Sequence, residues 1–285
     1  MERTVALATC RELPDLDPDG AGVVAAFNRF GVTAVPLIWD DPAAPFADFD
    51  LTVIRTCWDY VPRREAFLAW ASTLPRVLNP VEMLRWSTDK RYLAELAAAG
   101  FPIPASWFFA PGEEVSVPEG RCVVKPTVGA GSRGARRFEA EESSLAIDHA
   151  RALQREGATA LIQPYLDGVD AEGESALLFF NGEFSHSITK GPMLEIGGVG
   201  RALDATGLAF AEQITPHKAT DEERDLARRL IDWLPEMPTY ARVDLLPSAD
   251  GPVIVELELV EPSLFFQMTS GAEERFASAV VDRLN

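Results

Sequence analysis

Tyr240-Ala241-Arg242-Val243-Asp244-Leu245-Leu246 and Val253-Ile254-Val255-Glu256-Leu257-Glu258-Leu259 decide how this chain is read. Both stretches alternate with period two. Arg242 and Asp244 therefore share one face of a first strand, and Glu256 and Glu258 one face of a second. The intervening Pro247-Ser248-Ala249-Asp250-Gly251-Pro252 reads as a hairpin turn. A three-residue loop, Ala249 to Gly251 with Gly251 at positive φ, sets Asp244 opposite Glu256 and Arg242 opposite Glu258. Three carboxylates and one guanidinium then converge. Two carboxylates about 4 Å apart repel by roughly 4 kcal/mol at an effective dielectric near 20, so the cluster calls for a cation between the acids. All-oxygen ligands on a rigid sheet suit Mg²⁺, which normally arrives with phosphates. A solvated strand face with acids at i and i+2 would show the same spacing. Against it, Glu256 and Glu258 are embedded among Val, Ile and Leu, the pattern of a covered strand.

Composition narrows the classes. The 285 residues are 47% hydrophobic and 25% charged, an ordinary globular balance with room for a large core. A net charge of −18 opposes a general role on nucleic acid or on an anionic membrane, because no basic field replaces phosphate counterions. No apolar run approaches the roughly 20 residues of a membrane span, and the N-terminal residues are too polar for a signal peptide. Cys10, Cys57 and Cys122 form no CxxC pair, and His149, His186 and His217 show no ligand spacing. The expectation is a cytoplasmic protein without a disulfide scaffold or zinc site.

Along the chain, Val5–Thr9 reads as a strand, Ala21–Phe30 as a helix ended by Gly31, and Val32–Ile38 and Leu51–Arg55 as further strands. With a helix at Arg64–Thr73, this order predicts a small α/β domain with a parallel sheet. Asn79-Pro80 and Trp86-Ser87 suggest its boundary. A helix capped by Thr88-Asp89 is expected over Lys90–Ala99. A strand is expected over Ala135–Glu139, and an amphipathic helix over about Glu141–Arg155. Ala160–Leu166 reads as a strand whose ladder is broken by Pro164. Ser175–Phe180 and Phe184–Ile188 form a hairpin across Asn181-Gly182, a strong type I′ signal. Helices follow at about Asp221–Leu234 and Ala272–Leu284. The expected units are residues 1–87, 88–166 and 167–285.

Val128-Gly129-Ala130-Gly131-Ser132-Arg133-Gly134 contains GxGxxG, but strand-like sequence follows it rather than a helix. Strand, glycine-rich loop and strand describe a flap whose backbone N–H groups cover phosphates. No Gly-Lys-Ser/Thr ends it, so it is not a Walker A loop. Neither His-Arg-Asp nor Asp-Phe-Gly occurs, so it is not a protein kinase. Lys125, after Cys122-Val123-Val124, ends a buried strand and needs an anionic partner. Lys90 is a second candidate. Ala160-Leu161-Ile162-Gln163-Pro164-Tyr165-Leu166 offers an apolar hinge with spare backbone groups for a base.

These motifs, in this order, resemble the ATP-grasp superfamily over about residues 88–285: lysine, Val-Val-Lys-Pro with its flap, Gln-Pro-Tyr-Leu, Ala-Arg-Val-Asp, and Glu-x-Glu-x-x-x-Pro. The resemblance implies an α/β fold in which a small N-terminal α/β domain precedes a two-lobed ATP-grasp region. It implies that Lys90 and Lys125 bind ATP phosphates beneath the flap residues Gly129, Gly131 and Ser132. Gln163, Tyr165 and Leu166 would border the adenine, with Glu174 near the ribose. Asp244, Glu256 and Glu258 would hold two Mg²⁺, and Arg242 would stabilise the transferring group. Many relatives have Glu-x-Asn where this chain has Glu256-Leu257-Glu258, which makes the cluster here more negative.

Thr88-Asp89-Lys90-Arg91-Tyr92-Leu93, Ser185-His186-Ser187-Ile188-Thr189-Lys190 and Val255 to Pro262 are similar to the D-cycloserine synthetases. These are glutathione-synthetase-like ligases that close a ring on O-ureido-serine. The implied chemistry is an ATP-dependent ligase that forms a C–N bond through an acylphosphate on a small amino-acid-like carboxylate. Intermolecular amide or dipeptide ligation, and a nucleotide-binding regulator without turnover, remain as alternatives. For the second substrate, Arg55 is expected to pair with a carboxylate and Asp59 with an amine, beside Trp58 at a strand's carboxyl end. Trp58 packed inside a capped loop is the other reading. Lys190, a catalytic candidate, and Arg201 flank a glycine-rich lid around Gly197-Gly198-Val199-Gly200. His186, mid-strand, reads either as a structural histidine or as a group that orients substrate. A homo-oligomer is among the assemblies left open.

Overall fold

The computed structural model describes residues 3–192, 194 and 213–284, in which three sheets organise the chain. The first is parallel throughout. Its strands β1 (Arg3–Thr9), β2 (Val32–Ile38), β3 (Leu51–Thr56) and β4 (Val77–Leu78) lie in the order β2-β1-β3-β4. Helix α1 (Val23–Arg29) covers one face through Phe27 against Val5, Leu7 and Val53. Helix α2 (Arg64–Ala71) covers the other through Phe67 and Leu68 against Ala6, Ala8 and Ile54. Burial on both faces is why these strands read as continuous apolar runs. A 3₁₀ turn at Pro18–Gly22 replaces the expected first turn of α1. The two-residue β4 is too short to leave a period in the sequence.

The stretch expected to be a boundary is a helix, α3 (Val81–Ser87), held by the burial of Met83 and Leu84. Helix α4 (Tyr92–Ala98) starts two residues later than expected. Lys90 is instead in the turn before it, where its N–H donates to the Thr127 carbonyl at 2.8 Å.

The second sheet is antiparallel, with β5 (Trp107–Phe109), β6 (Cys122–Pro126), β7 (Arg136–Phe138) and β8 (Ala160–Pro164) in the order β5-β8-β6-β7. Helix α5 (Ser143–Arg155) packs Ala146 and Ala150 on Val124 and Ile162. Pro164 does not break β8. It is the strand's last residue, paired with Cys122, and the Tyr165 N–H then donates to the Arg121 carbonyl. β8 is an inner strand of this sheet.

The third sheet holds the acidic hairpin. After the short helix α6 (Gly168–Glu172) come β9 (Glu174–Phe180), β10 (Glu183–Lys190), β11 (Ile214–His217), helix α7 (Asp221–Trp233), β12 (Tyr240–Ser248), β13 (Gly251–Glu258) and helix α8 (Ala272–Asp282). The strand order is β11-β10-β9-β12-β13, all antiparallel. Asn181 and Gly182 both take positive φ, as the β9–β10 turn requires. Val243, Leu245 and Leu257 bury against Leu226 and Leu230 of α7. The alternate residues Ala176, Leu178 and Tyr240 bury against Phe276 of α8.

The β12–β13 register is as expected but is reached differently. Ser248 pairs with Gly251, so the loop is two residues, Ala249 and Asp250, rather than three. A bulge at Val255 takes up the extra residue and restores Asp244 opposite Glu256 and Arg242 opposite Glu258.

The first and third sheets are joined by buried polar groups. Asn79, fully buried, donates to the carbonyls of Tyr240 (3.0 Å) and Leu259 (2.8 Å) and accepts from the Thr239 N–H at 2.7 Å. Tyr240 Oη lies 2.9–3.1 Å from the carbonyls of Ile54, Leu78 and Val260. Among the described residues no helix is long and apolar enough to cross a membrane. Asn79→Ala strips partners from three buried backbone groups at once. Each such loss costs about 1–3 kcal/mol, so urea unfolding should show a loss of at least ~2 kcal/mol. A loss under ~0.5 kcal/mol would show that the joint is held by packing alone.

Candidate active site

The face of the third sheet that buries Tyr240 and Leu178 continues, one end further along, into a cleft. Arg242, Asp244 and Leu246 follow Tyr240 on β12, and Glu174 and Lys190 occupy the same end of β9 and β10 as a cross-strand pair. The bulge has a local consequence. Val255 and Glu256 are consecutive, yet both line the cleft, which a regular strand forbids. Gly173 permits the close approach of β9 to β10. Its φ is +79°, and a Cβ there would lie 2.5 Å from the Lys190 carbonyl oxygen.

One oxygen from each of Asp244, Glu256 and Glu258 falls within 4.8 Å of the others. Cations surround them. Arg242 donates from Nε to Asp244 Oδ1 at 2.8 Å and from Nη2 to Glu258 Oε1 at 2.6 Å. Lys190, 3% exposed, reaches Asp244 Oδ2 at 2.7 Å and Glu174 Oε1 at 2.8 Å. Lys90 Nζ lies 2.8 Å from Glu256 Oε1 and donates to the Gly129 carbonyl at 2.9 Å, tying the flap to the acids. Lys125 has no ion-pair or hydrogen-bond partner for its ammonium among the described residues.

Electrostatics follows from this geometry. Burial opposes ionisation of Asp244, but Arg242 and Lys190 hold its carboxyl well below the usual range. Burial likewise opposes Glu256, and Lys90 and Lys125 keep it low. Glu258 goes the other way. Burial, with Glu256 and Asp244 adding to it, pushes it up to about 7 despite Arg242. Burial also raises Glu174 and lowers Lys125.

The cleft runs from these acids past Lys90, Lys125 and the flap residues Gly129, Ala130, Gly131, Ser132 and Arg133 to an apolar end. That end is bordered by Gln163, Tyr165, Leu166, Val169, Leu246 and Val255. Gln163 is held by Ser106 Oγ at 2.9 Å. Tyr165 stacks under Arg137 at 3.9 Å and donates to Asp170. Leu246 shares the face of Arg242 and Asp244 by period two, whereas Val255 does not follow from periodicity, because the bulge that turns it inward leaves no mark in the sequence. Glu174, expected near a ribose, pairs with Lys190 among the acids.

Arg55, Trp58 and Asp59, expected to hold the second substrate, do not line the cleft. Arg55 is 1% exposed, packed over the rings of Phe266 and Phe276, and donates from Nη1 to the Pro262 carbonyl at 3.3 Å. Burial leaves it no surface for a substrate carboxylate. Asp59 accepts from Trp39 Nε1 at 2.8 Å and pairs with Arg63, so its carboxylate is already engaged. Half-buried Trp58 donates to the Glu261 carbonyl at 3.0 Å. Arg201 and Gly197 to Gly200 lie outside the described residues. His186 is structural: its Nε2 donates to the Leu264 carbonyl, and burial lowers it to about 4.

An apolar cleft end, a glycine-rich flap with lysines beside it, and three converging carboxylates backed by an arginine are the arrangement of an ATP-dependent ligase. The chain belongs to the ATP-grasp family: the ATP-grasp domain model matches residues 87–258, and the model of the N-terminal domain of D-cycloserine synthetase DcsG matches residues 5–79. It is 33% identical to the cycloserine biosynthesis protein DcsG of Streptomyces lavendulae, covering 98% of each chain. It superposes on the crystal structure of D-cycloserine synthetase DcsG with a TM-score of 0.88 and 30% identity, over 99% of this chain and 100% of that one. The ATP-grasp ligase PsnB, solved with a phosphomimetic variant of its minimal precursor, Mg and ADP, matches over 100% of both chains at a TM-score of 0.63 and 17% identity, a likeness of fold. ATP-grasp ligases work on ATP with Mg²⁺. The donor set here fits, since three carboxylates each offer an oxygen within 4.8 Å of the others, the all-oxygen set that Mg²⁺ takes.

Glu258 carries a pH signature in the metal-free protein. Its carboxyl titrates near 7 when folded against an ordinary value of 4.5, so the folded state holds the extra proton between those limits. Its contribution to stability is therefore lost as pH rises through that window. Glu258→Gln removes the charge, so the variant's stability relative to wild type should grow between pH 4.5 and 7 and level off above. Denaturant unfolding in EDTA measures the difference; a value independent of pH would sink the assignment.

Proposed function

We propose that this ligase closes a ring on a small amino-acid-like substrate, activating the carboxylate as an acylphosphate that an amine-type nitrogen of the same molecule attacks. The carboxylate oxygen bonds to the γ-phosphorus as ADP leaves; the nitrogen then bonds to the acyl carbon as phosphate leaves, and its proton passes to solvent. What carries this reading is the convergence of Arg242, Asp244, Glu256 and Glu258 on one end of the cleft. The similarity to DcsG across nearly the whole chain supports ring closure in particular.

In this reading Asp244, Glu256 and Glu258 would hold Mg²⁺, two ions as the family resemblance implies. Bound Mg²⁺ supplies neutralisation of the phosphate charge. Lys90 and Lys125, with the flap residues Gly129, Gly131 and Ser132, hold the phosphates. Gln163, Tyr165 and Leu166 border the base, and Glu174 sets Lys190. Lys190 holds Asp244 ionised and oriented. Arg242, anchored by two acids and the Ser263 carbonyl at 3.2 Å, presents a fixed positive charge where oxyanion character develops. No side-chain nucleophile is needed. Residues 1–87, 88–166 and 167–285 are taken as the three units, and the protein as cytoplasmic. A regulator without turnover has no use for Arg242 or a full carboxylate set.

Adding O-ureido-serine with Mg-ATP should release one ADP per cyclised product. A product heavier than the substrate would point to intermolecular ligation, and ATP binding without ADP release across a panel of small amino acids would overturn the enzyme reading. Asp244→Ala or Glu256→Ala should abolish turnover and weaken Mg-ATP binding; wild-type rates in either refute the metal role. Arg242→Met should lower kcat by about 10²–10³-fold while Mg-ATP still binds. Lost nucleotide affinity with kcat intact would contradict its role.

A further inference from the structure

Beyond Glu258 the chain leaves the sheet, and six successive carbonyls, Leu259 to Leu264, each meet a side chain from elsewhere. Asn79 and Tyr240 take the first two, at 2.8 and 3.0 Å. Trp58 takes Glu261 at 3.0 Å and Arg55 takes Pro262 at 3.3 Å. Arg242 takes Ser263 at 3.2 Å and His186 takes Leu264 at 2.9 Å. An irregular segment is thereby fixed without a strand partner, since backbone acceptors in a buried setting must be paired somewhere. Two of the six donors come from the parallel sheet, far along the chain from the cleft: Arg55 near the end of β3 and Trp58 in the loop after it. Another of the six is Arg242 itself, whose guanidinium also faces the ring of Phe265 at 5.6 Å, the residue that turns this segment through a left-handed conformation.

We propose that Arg55 is a positioning residue for the ligation: by holding the Pro262 carbonyl it fixes Ser263, and through Ser263 the guanidinium of Arg242. Arg55 is 1% exposed and its Nε has no partner among the described residues. One donor, at Nη1, is thus what the segment draws from it. The charges of Asp17 and Asp19 and the rings of Phe266 and Phe276 hold this buried guanidinium in place, so the Pro262 carbonyl it binds is held by a fixed group. The parallel sheet then does more than cap the cleft: it sets the position of a group that works 187 residues later in the chain.

The inference rests on the ring-closing ligase reading for its kinetic readout, and a second readout does not depend on it. Arg55→Met removes the donor while filling the volume, and Arg55→Lys keeps a single donor. Hydrogen exchange of amides 260–267 is followed in the ligand-free full chain, and steady-state kinetics with Mg-ATP and O-ureido-serine in parallel with wild type. Arg55→Met should speed exchange in that segment and lower kcat by about 10²-fold, the scale expected from misplacing a reacting group by about 1 Å. KM for both substrates should stay within about twofold, and Arg55→Lys should recover most of kcat. Wild-type exchange in Arg55→Met overturns the proposal whatever the substrate. A raised KM for the amino acid with kcat intact also overturns it, making Arg55 a substrate ligand. If Arg55→Met does not fold, Trp58→Phe, which frees the neighbouring carbonyl, takes its place; unchanged exchange and kcat there overturn the proposal. Should wild type itself give no product from O-ureido-serine, ring closure fails while the exchange result still decides the role of Arg55.

Discussion

Like charges held together out of water are the constraint around which the site is arranged. Asp244, Glu256, Glu258 and Glu174 occupy the end of one sheet face, and their mutual repulsion would dominate there if no cations intervened. Arg242 and Lys190 clamp Asp244 from two sides, and Lys90 holds Glu256. Glu258 is the member least compensated, which is why burial drives it upward to about 7 while Asp244 and Glu256 stay low. A cluster balanced in this way without a metal is ready for one, since an added divalent ion relieves the remaining repulsion rather than creating a new cost.

That balance depends on backbone register. In β12 and β13 a shift of one residue would send the whole charged set to the opposite face, among the leucines packed on α7. The two-residue loop alone would produce that shift, because its pairing from Ser248–Gly251 through Leu245–Ile254 is one residue out of step with Asp244–Glu256. The bulge at Val255 corrects it and, in the same step, turns an apolar side chain into the cleft. Loop and bulge are therefore a matched pair, and neither is interpretable without the other.

The three sheets divide the labour. The flap joins two strands of the small antiparallel sheet, the acids and Arg242 belong to the five-stranded one, and the apolar end of the cleft draws residues from both. Among the described residues the parallel sheet contributes no cleft lining, yet Arg55 of β3, with Trp58 and Asn79 just beyond β3 and β4, grips the segment that follows β13. A backbone run without a strand partner is thus held by side chains from two other parts of the chain.

Local chemistry was legible in the chain by itself. Period-two alternation placed Arg242 with Asp244 and Glu256 with Glu258, Asn181-Gly182 marked its turn, and Lys125 at the end of an apolar run announced a buried cation awaiting an anion. These depend on nearest neighbours and on two repeat lengths, which sequence records directly. Helix α3 and the two-residue β4 were not legible, because the first sits behind Pro80 in what looks like linker and the second is shorter than any period. The destinations of Arg55, Asp59 and Glu174 needed the tertiary structure. A charged side chain at a strand end can face solvent, a ligand or a buried carbonyl, and which partner lies within its few ångströms of reach is settled by residues tens to hundreds of positions away.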